Sequence, residues 1–283
     1  MVQDLTIIIP CISEVDRLEK CLRTIDEHLP GQHVIVVQMA EWSTTAITRA
    51  SHVRFVRQKL LSSAAARNIG ARQATTDYLF FLDSDNWLIG DGDSWNVEIN
   101  NAMLSRPLLI VLQRADEQRQ FMNGIMPTRW NFSRYCIEWN LIWCRSHFFA
   151  LGGFDENCCH GGQSMAQAGE GFDICFKHFA SRGATVLSPR LFVGHPSLEN
   201  PSKRLFEYAY GSGYSATRQL RRKPCALSLF WFARSLAGLG LDVIRGVRRR
   251  SVAVLLTLVW ARLLAAWDGI TKDAPRSRNV EKR

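Results

Sequence analysis

Short apolar runs alternate with amphipathic stretches through the N-terminal part of this chain. "LTIIIP" (Leu5–Pro10) is a β-branched run closed by proline, and its length and composition predict a buried strand. Ser13–Leu29 follows with Val15, Leu18, Cys21, Leu22 and Ile25 at helical spacing and charges between them. "HVIVV" (His33–Val37) predicts a second strand and "HVRFVRQ" (His52–Gln58) a weaker third. Ser62 or Ser63 can cap a helix through "AAARNIGARQA", ending near Thr75–Asp77, and "YLFFL" from Tyr78 is a fourth strand. Strands separated by helices imply right-handed crossovers. The predicted class is therefore α/β: a Rossmann-like, mostly parallel sheet flanked by helices.

The fourth run ends on "DSDN", so a water-excluding strand leads straight into Asp83 and Asp85. Ligands of open α/β sheets bind in the crevice beyond the carboxyl ends of the strands. A two-residue spacing in extended chain turns both carboxylates the same way. No Lys or Arg adjoins them in sequence, and the pair repels itself unless a cation lies between. A hard divalent ion, Mg²⁺ or Mn²⁺, with phosphate oxygens as further ligands fits that arrangement. An acidic, solvated loop is the plain alternative.

Two strongly apolar stretches, Cys225–Ile244 and Ser251–Trp267, lie near the C-terminus, separated by "RGVRRR" (Arg245–Arg250). Arg234, Asp242 and Arg262 interrupt them, so neither is a clean bilayer span of about 20 apolar residues. Two helices lying on an anionic cytoplasmic leaflet are expected, with a re-entrant hairpin or an oligomerisation face as other readings. The segment Met126–Phe149 is dense in aromatics, including Trp130, Phe132, Tyr135, Trp139, Trp143, Phe148 and Phe149. They fit a core, or a platform for the apolar face of a ligand.

Charge sharpens this division. Of the net +9, the segment Thr217–Arg283 carries +11 (15 Lys/Arg against 4 Asp/Glu), which leaves −2 on the rest. A near-neutral body with a basic tail is not the uniform basic surface of a nucleic-acid binder, so no nucleic-acid partner is expected. Residues 1–200 are read as one domain and 201–283 as a basic, apolar helical region. The eight cysteines form no CxxC pair, which argues against a zinc ribbon or thioredoxin-type motif. "MVQDLTIIIP" lacks the basic and long apolar regions of a signal peptide, so the body is expected in the cytoplasm, peripheral on the inner face of the cell membrane.

"TIIIP", "ARNIGARQATTDYLFFLDSDN", "FFALGGFDEN" and "GEGFDICFKHFASRG", in that order, resemble the inverting family 2 glycosyltransferases of the GT-A fold. The resemblance spans roughly Leu5 to His195. It implies a nucleotide-diphosphate-sugar donor, a glycan or lipid-linked acceptor, and a DxD metal site at Asp83 and Asp85, with Ser84 between them on the donor. It also implies a nucleotide pocket near Pro10 and Arg67 and an acceptor-side segment around Gly152–Asp155. Arg67 can pair bidentately with phosphate oxygens, and His195 in "LFVGHP" is a candidate third metal ligand.

Two departures from the family pattern matter. Where relatives read Gly-Glu-Asp-x-Asp, this chain has Gly169-Glu170-Gly171-Phe172-Asp173, so the usual base position holds glycine. Glu170 is then the candidate base, with Asp173 orienting the helix start or touching the acceptor; both acting only as caps is the plain alternative. After the second strand, "VVQMAEWS" puts Gln38 where relatives hold an acidic residue that receives the uracil ring, with Glu41 three positions on. The base of the donor is left open. A non-catalytic nucleotide-sugar-binding or scaffold subunit is the second reading that Gly171 and Gln38 motivate.

Overall fold

The computed structural model of the chain describes residues 4–11, 15–38, 52–59, 62–90, 92–115, 120–121, 125–158, 165–196, 205–248, 252–275 and 277. Two compact units divide it, one of Met1–Phe154 with Lys177–Ser197, the other of Asp155–Phe176 with Leu198–Arg283. The second unit takes in the residues from Leu198 on. The units additionally group Asp155–Phe176 with the C-terminal helices.

In the first unit, nine strands among the described residues form one sheet of order β3-β2-β1-β4-β8-β6-β9-β5, with β7 (Gln120–Phe121) on β6. Strands β1 (Leu5–Cys11), β2 (Val34–Gln38), β3 (Val53–Arg57) and β4 (Tyr78–Phe81) pair in parallel, as the alternating pattern predicts. Beyond β4 the sheet turns mixed. Strand β8 (Leu141–Cys144) enters antiparallel between β4 and β6 (Leu109–Ala115), and β9 (Thr185–Gly194) runs parallel to β6 and antiparallel to β5 (Trp87–Ile89).

All seven residues of β1 are buried, so the strand is apolar on both faces, as a sheet covered on both sides requires. Pro10 is tolerated because β4 stops opposite Ile8, which leaves no β4 partner for the missing N–H. Strand β1 itself continues past Ile8 to Cys11.

Helix α1 (Val15–His28) buries Leu18, Cys21 and Ile25, the predicted face. Helix α2 (Ser63–Gln73) begins at Ser62, whose Oγ accepts from the Ala65 N–H at 3.2 Å. It lies close to the sheet because Gly70 has no side chain; a Cβ there would sit 2.4 Å from Ile8 Cγ2. The remaining helices of this unit are α3 (Gly92–Leu104) and α4 (Arg145–Ala150). The aromatic segment is mostly core: Phe132, Trp139, Trp143 and Phe148 are buried, whereas Trp130 and Phe149 remain partly exposed.

Helix α5 (Glu170–Ala180) starts in the second unit and ends in the first. The second unit adds α6 (Leu205–Arg222), α7 (Ala226–Arg248) and α8 (Val252–Thr271). The two apolar stretches expected near the C-terminus are α7 and α8. Tyr210 and Tyr214 of α6 pack with Leu258, Ala261 and Ala265 of α8. A buried hydrogen bond from Tyr210 Oη to Asp268 Oδ2 (2.8 Å) crosses the same contact.

Candidate active site

Within the first unit, the turn after β4 and the end of β9 bring Asp83, Asp85 and His195 together. One ligand atom from each lies within 4.8 Å of the others, and all three side chains are partly exposed. Two carboxylates and an imidazole with ligand atoms this close are a donor set that would suit a divalent cation. His195 Nδ1–H donates to the Pro196 carbonyl (2.7 Å), which leaves the Nε2 lone pair for a metal; Nε2 stands 3.8 Å from Asp85 Oδ1. The imidazole is stacked on Trp139, with ring centroids 5.1 Å apart.

Asn86 builds this geometry, and the sequence reading passed over it. Its Oδ1 accepts from the Asp83 N–H (2.6 Å) and its Nδ2–H donates to the Gly194 carbonyl (3.0 Å). One buried amide thus ties the acidic turn to the residue before His195. Its place directly after the DxD was the only available signal.

The absence of arginines beside the acidic pair is corrected by the fold. Arg67, 4 % exposed on α2, hydrogen-bonds Asp83 Oδ1 through Nη2, and Arg17 on α1 stands 3.5 Å from Asp85 Oδ2. Spacing along the chain could not show this, because both arginines come from other helices. The Arg17 contact, with its side chain 49 % exposed, is worth about 0–1 kcal/mol and does not outcompete a divalent ion. The Arg67 contact is more sheltered. Two carboxylates and two guanidiniums balance, and a dication with a nucleotide diphosphate adds opposite charges that balance again. The Cys21 thiol donates to the Asp83 carbonyl (3.7 Å); burial first, then Asp85 and Asp83, push its pKa well up, so it stays neutral.

The other predicted nucleotide-side residues differ in exposure. Gln38 is the last residue of β2, opposite Cys11 of β1, and is 2 % exposed. Pro10 is buried within β1, opposite Val37. Ser84 is half-buried between the two aspartates. Glu41 lies outside the described residues. Asn68, one residue after Arg67, accepts from the Phe154 N–H (3.0 Å) and donates to its carbonyl (2.9 Å), fixing the end of the Gly152–Gly153 turn. A groove of about 500 Å³ bounded by Met126, Arg129, Phe179, Arg182 and Thr185 lies at the opposite end of β9 from His195, and no predicted site residue lines it.

Glu170 and Asp173 belong to the second unit. Both are buried, at 4 % and 1 % exposure. Arg218 of α6, itself 1 % exposed, bonds Asp173 Oδ1 (2.9 Å) and Asp155 Oδ2, and Gln219 donates to the same Asp173 oxygen. Burial alone disfavours the Arg218 cation, but Asp173, Cys158 and Asp155 outweigh it and raise its pKa. Burial alone raises the Asp155 pKa, but Arg218 reverses the sign and lowers it. The Glu170 N–H donates to the Cys158 carbonyl (3.0 Å). Gly169, at φ +122°, sits where a Cβ would be 2.4 Å from Ser215 Oγ and 3.0 Å from the Gly211 carbonyl. Asp173 therefore ties α5 to α6.

Residues 6–94 match the family described as glycosyl transferase family 2. Compared with curated proteins by sequence, the chain matches none. Among solved structures it resembles the mannosyltransferase PcManGT from Pyrobaculum calidifontis, solved with GDP-Man and Mn²⁺, at TM-score 0.62 and 14 % identity over 94 % of this chain and 87 % of that one. It also resembles S. aureus TarS 1–349, at TM-score 0.56 and 13 % identity over 95 % and 89 %. A third likeness is GalNAc-T7, solved with UDP, GalNAc and Mn²⁺, at TM-score 0.54 and 15 % identity; it covers 84 % of this chain but only 57 % of that one. The fold in common is GT-A. The fold likeness runs over nearly the whole chain, and the family 2 match covers residues 6–94.

Proposed function

We propose that the chain is a metal-dependent inverting enzyme. It moves a sugar from a nucleotide-diphosphate donor to a hydroxyl of a glycan or lipid-linked acceptor at the cytoplasmic face of a membrane. The observation that carries this reading is the convergence of Asp83, Asp85 and His195 at the carboxyl end of β4. Neighbours of the same fold were solved with UDP or GDP-Man and Mn²⁺, which supports a nucleotide-sugar donor.

Asp83 and Asp85 carboxylates and His195 Nε2 would hold the cation, whose chemistry when bound is Lewis-acid neutralisation of the departing diphosphate. Arg67 supplies a second, fixed positive charge beside Asp83. The acceptor oxygen bonds the anomeric carbon from the face opposite the diphosphate. The carbon–oxygen bond to the diphosphate breaks with its electron pair, and the acceptor proton passes to Glu170. Glu170 is the candidate because Gly171 stands at the position where the resemblance would place the base. A glutamine at position 38 leaves UDP, GDP and dTDP donors to be separated by experiment.

Calorimetry with Mn²⁺ and each of the three nucleotide sugars tests the donor. Binding of one, followed by transfer with inverted anomeric configuration in the NMR spectrum of the product, is expected; binding of none contradicts the reading. Glu170→Gln should lower turnover by about 10²–10⁴-fold with donor affinity retained. Donor binding without turnover in the unaltered protein would favour the non-catalytic subunit that Gly171 suggests.

The membrane location rests on the +11 charge of Thr217–Arg283. Among the described residues, no helix is long and apolar enough to cross a membrane.

A further inference from the structure

Helix α8 buries one side and leaves another bare. Leu258, Ala261, Leu264, Ala265 and Asp268 are buried, whereas Leu256, Trp260, Leu263, Trp267 and Ile270 are 62, 60, 50, 62 and 54 % exposed. The exposed five recur at spacings of four and three, so they share one stripe, about 21 Å long at the α-helical rise of about 1.5 Å per residue. Two charged residues occur between its ends, and both are engaged elsewhere. Arg262 donates to the Ser235 carbonyl (3.3 Å), and Asp268 is buried against Tyr210 and Lys272. A continuous apolar stripe of this size on a water-facing helix marks an interaction surface.

We infer that this stripe is the seat of an anionic phospholipid bilayer, with α8 lying in the interface plane and its tryptophans at headgroup depth. Trp260 and Trp267 are amphipathic rings of the kind that settle there. Basic residues flank the stripe at both ends in the sequence: Arg245 and Arg248–Arg250 before α8, and Lys272, Arg276, Arg278, Lys282 and Arg283 from its end onward. Anionic headgroups complement both ends at once. A second copy of α8 would bring positive flank against positive flank in either orientation, which disfavours the helix pairing that the four-and-three spacing would otherwise allow. The inference deepens the proposed membrane location and is independent of the sugar chemistry.

The test is sedimentation of the full chain with vesicles of phosphatidylcholine containing about one-third phosphatidylglycerol, beside pure phosphatidylcholine vesicles. Binding to the anionic vesicles is expected. It should weaken but persist at 1 M salt, where the Debye length is about 3 Å and only the apolar contact survives. W260S/W267S should reduce the partition coefficient more than about 10-fold with donor calorimetry unchanged. L256Q/L263Q, on the same stripe, should act in the same direction, and an unaltered unfolding midpoint shows that each variant folds. Variants that bind like the unaltered protein overturn the inference. So does an unaltered protein that ignores vesicles yet is a dimer by light scattering that W260S/W267S makes monomeric. Failed vesicle binding with intact donor binding removes the membrane seat alone; failed donor binding with intact vesicle binding removes the enzymatic reading alone.

Discussion

Two pairs of aspartates in this protein meet arginine in opposite ways. Asp83 and Asp85 stand partly exposed at the end of a strand, with side chains 29 % and 20 % accessible, and share their arginine contacts with an accessible histidine. Asp155 and Asp173, with side chains 13 % and 1 % accessible, close on the single guanidinium of Arg218, which is 1 % accessible. Burial decides which pair can exchange partners. Asp85 loses little when a cation replaces Arg17, because an exposed ion pair is worth about 0–1 kcal/mol. A buried pair cannot give up its partner without stranding a charge, at a cost of about 3–5 kcal/mol. The first arrangement suits a ligand site and the second suits a structural lock.

Substitutions should separate the two along that line. Arg218→Met leaves Asp173 and Asp155 without their buried partner, and chemical denaturation should show a stability loss of about 3–5 kcal/mol. Asp85→Ala should do the reverse. Stability should change by less than about 1 kcal/mol, while transfer falls on the order of 10²–10³-fold, since Lewis-acid neutralisation supplies several kcal/mol to the transition state. Similar stability losses from both variants would erase the distinction. Asn86→Ala acts through its neighbours, because the amide holds Asp83 and Gly194 rather than a ligand. Mn²⁺ affinity should drop about 10–100-fold, the usual effect of loosening the groups that orient metal ligands.

A smaller effect concerns a third polar cluster, in the first unit. His178 is fully buried, bonded to His147 Nε2 (3.0 Å) and Thr185 Oγ1 (2.8 Å). Burial first, then His147, lowers its pKa from the usual 6.5 to about 3. Burial lowers His147 as well. The unfolded chain therefore takes up protons before the folded one does. This contribution is fully present above about pH 6.5 and is lost as the pH falls toward 3. Urea midpoints between pH 7 and 4 should fall, and less steeply in His178→Gln; equal slopes would exclude the pair as the cause.

The parallel half of the sheet was legible because it is written locally. "TIIIP", "HVIVV" and "YLFFL" each form a strand from their own composition, and Ser62 marks a helix start by its own oxygen. The acidic turn could be read for the same reason, since Asp83 and Asp85 are held by one strand end. Partners that come from afar were not legible. Arg17 reaches Asp85 from 68 positions away and Arg218 reaches Asp173 from 45, and neither spacing carries a signal. Helix α6 carries Gly211 and Gly213, whose role no spacing announces. Gly211 is there for close approach, since a Cβ would meet the Ala168 carbonyl oxygen at 2.1 Å. The split of Asp155–Phe176 from the body is likewise a property of packing rather than pattern.

The most direct test of the acidic turn is a Mn²⁺ titration followed by electron paramagnetic resonance, with and without the nucleoside diphosphate of the preferred donor. Asp83, Asp85 and His195 should bind Mn²⁺ weakly alone and more tightly with the diphosphate present. By linkage the diphosphate should gain the same factor from Mn²⁺, and Asp85→Ala should abolish both gains. Mn²⁺ and diphosphate binding that are independent of each other, or coupling that survives Asp85→Ala, would contradict the account.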